Sequence, residues 1–317
     1  MAARPHVVVA PAIAPEVLAR LQAAFDVDAA GLQPLAARCA HADGLLVGPT
    51  ERVDAALVAA CPRLRIVASL AVGTNNIDLA ACAQRGITVT NAPDVLTETT
   101  ADLGLALLLA AARNLSTAER ELRTGNWRGW AVGHHAGADV HGAVLGIVGM
   151  GRIGQAIARR AVHGFGMRLR YANRRELPPA VATPLGAQWR PLDALLQEAD
   201  HVLLTVPYSA TTHHLIGARE LALMPPHATL VNLARGGVVD DAALACALRQ
   251  GRLAGAALDV FEGEPRVHPE LLTAPRCTLT PHIASASRAT RTAMAALAAD
   301  NLLAVLAGQA ARTPVQP

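Results

Sequence analysis

The chain has 317 residues, 52% hydrophobic and 17% charged, which suits two ordinary domains with a large buried core and argues against disorder. All 28 basic residues are Arg, so a Schiff-base lysine, a Ser-Lys dyad and a Walker-type phosphate loop are excluded, each needing an ammonium. The formal charge is only +3, the arginines are scattered and aromatics are 3%, so neither a nucleic-acid surface nor an anionic-membrane surface is indicated.

In chain order, short runs of Val, Ile and Leu predict buried parallel strands over 6–10, 44–48, 64–70 and 87–91. Helical spacing over 15–24, 52–60 and 79–84 separates them, the alternation of a doubly wound parallel sheet. A polar break over 94–100 leads into one long predicted helix, about 99–124, ending before Gly125. Its apolar stretch, 103–112, is about half the ~20 residues of a membrane span and reads as a buried helix. Residues 125–142, rich in Gly, Trp and His, read as a loop.

A second alternating series follows. Strands are predicted over 143–149, 168–172, 201–206, 229–233, 255–260 and 277–280, and helices over 152–164, 191–199, 218–223 and 242–249. Asp240 is placed to cap the last of these helices. A final helix, about 287–307, has no strand after it and is free to return to the first sheet. The expected fold is α/β, with two doubly wound parallel-sheet domains. Cys39, Cys61, Cys82, Cys246 and Cys277 are odd in number and scattered, which suits a reducing compartment. Met1 to Ala10 has no signal-peptide layout, so the expected location is the cytoplasm.

Gly149-Met150-Gly151-Arg152-Ile153-Gly154 follows a predicted strand and opens a helix. In that context Gly149 permits a tight turn, Gly151 lets backbone N–H groups approach a pyrophosphate, and Gly154 lets the helix pack on the sheet. About 20 residues on, an NAD site usually places an acid for the ribose hydroxyls. Here the strand ends in Asn173-Arg174-Arg175, with no acid and two guanidiniums suited to a phosphate, so NADP(H) is the expected cofactor, with NAD(H) the lesser choice.

Three further segments place polar residues just after predicted strands, at the edge where α/β proteins bind ligands. They are Val231-Asn232-Leu233-Ala234-Arg235-Gly236-Gly237, then Asp259-Val260-Phe261-Glu262-Gly263-Glu264-Pro265, then Thr280-Pro281-His282-Ile283-Ala284-Ser285. An Arg to hold an anion and polarise a carbonyl, a His to donate a proton, and an acid to orient the imidazole are what carbonyl reduction needs. Spacing does not choose between Glu262 and Glu264 as that acid. His134-His135 and His213-His214 read as loop histidines, because no carboxylate or Cys spacing completes a metal site, and no metal is expected. Trp127 reads as packing.

These segments, in this order, resemble the D-isomer-specific 2-hydroxyacid dehydrogenase family over essentially the whole chain, and more narrowly its glyoxylate/hydroxypyruvate reductase branch. The resemblance implies that Arg235 binds substrate, that Glu264 is the acid paired with His282, and that His282 is the proton donor. It implies that backbone N–H groups of Val72 and Gly73, in Ala71-Val72-Gly73-Thr74-Asn75-Asn76, grip the substrate carboxylate. Along the cofactor it places Thr100, Val206, Leu233, Asp259 (at the nicotinamide carboxamide), His282 and Ala284, besides the glycine turn with Arg152 and Ile153. It implies a substrate domain over 1–98 plus 289–317, a flavodoxin-like lid, closing over a Rossmann cofactor domain over 99–288. It further implies a homodimer built mainly from the cofactor domains, in which Trp130 reaches the partner's active site. Leu70, at the edge of the carboxylate loop, is expected to restrict the substrate. The expected activity is NADPH-dependent reduction of glyoxylate, hydroxypyruvate or a similar short 2-oxo acid to the D-2-hydroxy acid. The alternatives are an NAD-dependent dehydrogenase of D-lactate or phosphoglycerate type and a nucleotide-sensing regulator on the same fold.

Overall fold

The computed structural model describes residues 4–29 and 34–316. The chain divides into two compact units, Met1–Leu96 with Ser285–Pro317, and Thr97–Ala284.

The first unit opens β1(His6–Val9), α1(Pro15–Ala24), β2(Asp26–Ala29), α2(Leu35–Arg38), β3(Gly44–Val47), α3(Ala55–Ala60), β4(Ile66–Ser69), α4(Leu79–Gln84), β5(Thr88–Thr90). The strands form a parallel five-stranded sheet in the order β2-β1-β3-β4-β5. The central strands β3 and β4 are buried throughout, as their unbroken apolar runs require. The sequence reading passes over β2 and α2. Asp-Val-Asp-Ala looks like a loop, yet an edge strand buries little, and Asp28 is held by both Nε and Nη2 of Arg38, Nε to Oδ2 at 2.9 Å.

The second unit begins with α5(Thr97–Ala112) and α6(Leu115–Arg123), where a single helix is predicted. The break is at Asn114, whose φ of +53° is left-handed, a conformation Asn tolerates better than most residues. Its cause is tertiary. The Ala138 N–H donates to the Ala112 carbonyl (2.8 Å), and the Asn114 side chain donates to the Ala136 carbonyl (3.3 Å), so a later loop takes over the end of α5. That loop, the irregular stretch predicted over 125–142, precedes β6(Val144–Val148), α7(Arg152–Phe165), β7(Arg168–Ala172), α8(Pro179–Ala182), β8(Gln188–Trp189), α9(Leu192–Glu198) and β9(His201–Leu204). There follow α10(Ala218–Leu223), β10(Thr229–Asn232), α11(Asp241–Arg249), β11(Gly255–Leu258), α12(Pro269–Leu272) and β12(Cys277–Leu279). The seven strands are parallel, in the order β12-β11-β10-β9-β6-β7-β8, so the phosphate-turn strand β6 lies mid-sheet. β8, two exposed edge residues, carries too little pattern to be read from sequence.

The last helix, α13(Arg288–Leu306), belongs to the first unit and packs on β3, β4 and α1. Ser287 caps it by accepting from Thr290 N (3.1 Å), and Arg65 binds the carbonyls of Val305 and Leu306 at its other end (3.0 and 3.2 Å). Among the described residues no helix is long and apolar enough to cross a membrane.

Candidate active site

The glycine turn is built as its spacing requires. β6 delivers the chain to Gly149, whose φ is +101° and where a Cβ would stand 2.8 Å from the Val206 nitrogen. Thr205 Oγ1 ties the turn down by donating to the Gly149 carbonyl at 2.6 Å. Gly151 caps α7, and nothing lies within 4 Å of the place its Cβ would occupy, so the helix end stays open to a ligand. At Gly154 a Cβ would meet the Gly149 carbonyl at 2.6 Å, so the first turn of the helix lies tight against the loop. Arg152 and Ile153 form the first turn of α7. An open helix N-terminus with a glycine approach fits a pyrophosphate.

Asn173, expected at the ribose, has a second task. Its Oδ1 accepts from Met150 N at 2.7 Å, joining the end of β7 to the glycine turn. Arg174 and Arg175 are exposed, and among the described residues no hydrogen bond or ion pair engages either guanidinium. The neighbouring Arg170 and Arg190 are instead both spent on Glu198, at 3.1 and 3.0 Å. Thr100 is buried on α5, Val206 follows β9 and Leu233 follows β10.

The three segments after β10, β11 and β12 converge. Asn232, buried at the end of β10, accepts from Ala234 N (3.0 Å) and donates to the Arg235 carbonyl (3.3 Å), which shapes the turn that carries Arg235. Gly236 then passes the Phe261 carbonyl so closely that a Cβ would sit 1.7 Å from the oxygen. Burial pulls the Arg235 pKa below the ordinary guanidinium value, against the charge of Glu264. Glu264 Oε1 accepts from Phe261 N (2.9 Å), and its Oε2 meets His282 Nδ1 at 2.7 Å. Burial pushes the Glu264 carboxyl up. The hydrogen bond from His282, the imidazole's charge, the Phe261 N–H and Arg235 together hold it below the ordinary carboxylate range. Glu262, the other acid that spacing allows, turns away to His214 Nε2 at 2.9 Å.

His282 has a φ of +53°, and Asp259 imposes the surrounding turn. Its carboxylate, fully buried, accepts from Thr280 Oγ1 (2.7 Å), Ile283 N (2.8 Å) and Ala284 N (2.8 Å), while its carbonyl accepts from His282 N (2.9 Å). Its carboxylate and carbonyl are thus engaged by the 280–284 segment, while its N–H donates to the Asn232 carbonyl at 3.1 Å. Spacing alone does not reveal this clamp or that of Asn173, because each depends on a partner more than 20 residues along the chain, whereas the Asn232 turn is local.

In the first unit, the loop after β4 is pinned by Asn91 Nδ2 on the Val72 carbonyl (2.7 Å) and by Ala92 N on the Ala71 carbonyl (3.0 Å). The half-buried N–H groups of Val72 and Gly73 have no acceptor among the described residues, which is unusual for backbone donors and suits an anion. Leu70 is buried at the start of this loop.

Contrary to the expectation from spacing, neither histidine pair stands apart from a carboxylate. Each has a carboxylate beside it, brought from a distance by the fold: Glu121 meets His134 and His135, and Glu262 meets His214. Trp127 and Trp130 are both exposed, so Trp127 is not the packing residue expected.

Parallel sheets, a dinucleotide turn and an Arg/Glu/His cluster define a nicotinamide-dependent oxidoreductase. Residues 105–284 match the family described as D-isomer specific 2-hydroxyacid dehydrogenase, NAD binding domain. The chain belongs to the D-isomer-specific 2-hydroxyacid dehydrogenase family and is an NAD(P)-dependent oxidoreductase. It is 50% identical over 277 residues to a glyoxylate reductase of Thermococcus onnurineus, covering 86% of this chain and 82% of that one. It is 43% identical to glyoxylate/hydroxypyruvate reductase B of Shigella boydii, covering 99% and 98%. Among solved structures, an NADPH-dependent glyoxylate/hydroxypyruvate reductase of Sinorhizobium meliloti, in complex with NADP and malonate, superposes with a TM-score of 0.86 at 39% identity, covering 99% of this chain and 97% of that one.

Proposed function

We propose that the chain is an NADPH-dependent reductase of glyoxylate, hydroxypyruvate or a similar short 2-oxo acid, yielding the D-2-hydroxy acid. The observation that carries the chemistry is the 2.7 Å contact of His282 Nδ1 with Glu264, whose carboxylate also feels the charge of the half-buried Arg235. When bound, the nicotinamide supplies a hydride. Arg235 binds the substrate's carboxylate and draws electron density from its carbonyl. Glu264 fixes the imidazole through Nδ1, leaving Nε2 to give the proton to the developing alkoxide. The free N–H groups of Val72 and Gly73 are our candidates for the carboxylate's second hold. Names of the related enzymes support glyoxylate and hydroxypyruvate as substrates, and the Sinorhizobium enzyme supports NADPH.

Arg174 and Arg175, exposed and unengaged, are assigned to the 2′-phosphate of NADP. A homodimer completes the proposal. Leu122, Trp127, Trp130 and Val132 are exposed on α6 and the loop after it, an apolar surface fit for a second copy. An activity panel of 2-oxo acids with NADPH and NADH tests the assignment. Turnover of glyoxylate or hydroxypyruvate with NADPH supports it, and turnover confined to bulky 2-oxo acids or to NADH overturns it.

A further inference from the structure

We propose that Glu121, His134 and His135 form a binding site for a transition-metal dication of the Zn2+ type, which ties the loop over 125–142 to α6. Glu121 projects from the last turn of α6, and its two carboxylate oxygens are divided between two imidazoles. Oε1 lies 3.1 Å from His134 Nε2, and Oε2 is in hydrogen-bond contact with His135 Nε2. Three candidate ligand atoms, two imidazole nitrogens and a carboxylate oxygen, all lie within 4.8 Å of one another. Ligand atoms on a tetrahedral zinc, at bond lengths of about 2.0–2.2 Å, stand about 3.3 Å apart, so small side-chain adjustments would admit the ion.

The backbone holds the histidines in place. His135 has a φ of +51°, which turns two consecutive side chains toward the same carboxylate, and their rings lie 4.2 Å apart. Just beyond them the loop is anchored on α5, where the Ala138 N–H donates to the Ala112 carbonyl at 2.8 Å. The site is partly desolvated but open to solution, with Glu121 and His135 half-buried and His134 exposed. Imidazole and carboxylate together favour Zn2+, Ni2+ or Co2+ over Mg2+ or Ca2+. Three protein ligands leave a fourth position for water.

The grouping of His213, His214 and Glu262 is the weaker candidate. All three are exposed, only His214 meets the carboxylate, and His213 Nδ1 is shared with the Tyr208 hydroxyl at 3.2 Å. It therefore serves as the internal control.

The test uses the full chain, equilibrium dialysis against Zn2+, and thermal unfolding with and without the ion. The wild type is expected to retain a Zn2+ that excess Mg2+ does not displace, and to unfold at a higher temperature in its presence. Glu121→Gln and His135→Asn should each weaken binding by at least about tenfold, since even partners of metal ligands cost 10–100-fold. Asn tolerates the left-handed backbone at 135, and Gln preserves the shape at 121, so both variants should fold. The double variant His213→Ala, His214→Ala should keep the ion. Failure of the wild type to retain Zn2+, or unchanged affinity in Glu121→Gln and His135→Asn, overturns the site. Neither result bears on the reductase assignment, which rests on other residues.

Discussion

Glu264 holds His282 with one carboxylate oxygen and the backbone of Phe261 with the other, so the imidazole is oriented by an acid that is itself anchored. His282→Ala should lower turnover by about 10²–10⁴-fold, the usual loss for a positioned general acid, with NADPH affinity within a few fold of wild type. Retention of more than half the wild-type turnover number would rule out His282 as the proton donor. Glu264→Gln preserves a hydrogen bond to Nδ1 but removes the negative charge beside the ring. Its turnover should fall, though by less than in His282→Ala, and unchanged turnover would take the role away from Glu264.

Arg235→Lys should raise the KM for the 2-oxo acid and lower turnover as well. An ammonium is a single point charge and cannot reproduce the planar fork that grips a carboxylate beside a carbonyl. A thermal transition near that of wild type would show that the fold is intact. Unchanged kinetics with glyoxylate would place Arg235 outside the substrate site.

Asp241 carries a penalty of its own. It is buried at the start of α11. Oδ2 accepts from Glu262 N at 3.1 Å, while Oδ1 has no partner among the described residues. Burial, assisted by the charge of Glu262, pushes its carboxyl up to about 6. A folded-state value above the unfolded one means that the native protein binds the proton more tightly. Stability therefore falls as pH rises from the ordinary carboxylate range to about 6, and stays lowered above it. Asp241→Asn should stabilise the protein by roughly 1–3 kcal/mol at about pH 8, the gain shrinking by about half near pH 5. Thermal unfolding of both proteins at the two pH values measures it, and a less stable variant at the higher pH would refute the penalty.

The double change Arg174→Ser, Arg175→Ser should lower kcat/KM with NADPH while sparing NADH. For the wild type we expect at least a roughly tenfold preference for NADPH, modest because exposed ion pairs are weak. Added salt should erode the preference, since screening acts on exposed charges. Equal use of the two cofactors at low ionic strength would mean that these arginines do not meet the ribose phosphate.

Much of this protein is settled by local pattern. The buried strands, the glycine turn and the order of the Arg, acid and His segments are legible because their signals lie within a few residues: unbroken apolar runs, a Gly-x-Gly-x-x-Gly spacing, and polar groups directly after strands. What required the tertiary structure depends on distant partners. The break at Asn114 is invisible in a continuous helical pattern because residues 136 and 138 cause it. Glu264 and Glu262 are equivalent by spacing, and only the folded loop turns one to His282 and the other to His214. Asn173 and Asp259 act as clamps on segments 23 and 25 residues away, Met150 and Ala284. Glu121 joins the His134-His135 pair only because α6 and the loop fold back on one another. Sequence spacing encodes which groups a backbone element presents, whereas hydrogen bonds and charge pairs over 3 Å distances are decided by how separate elements pack.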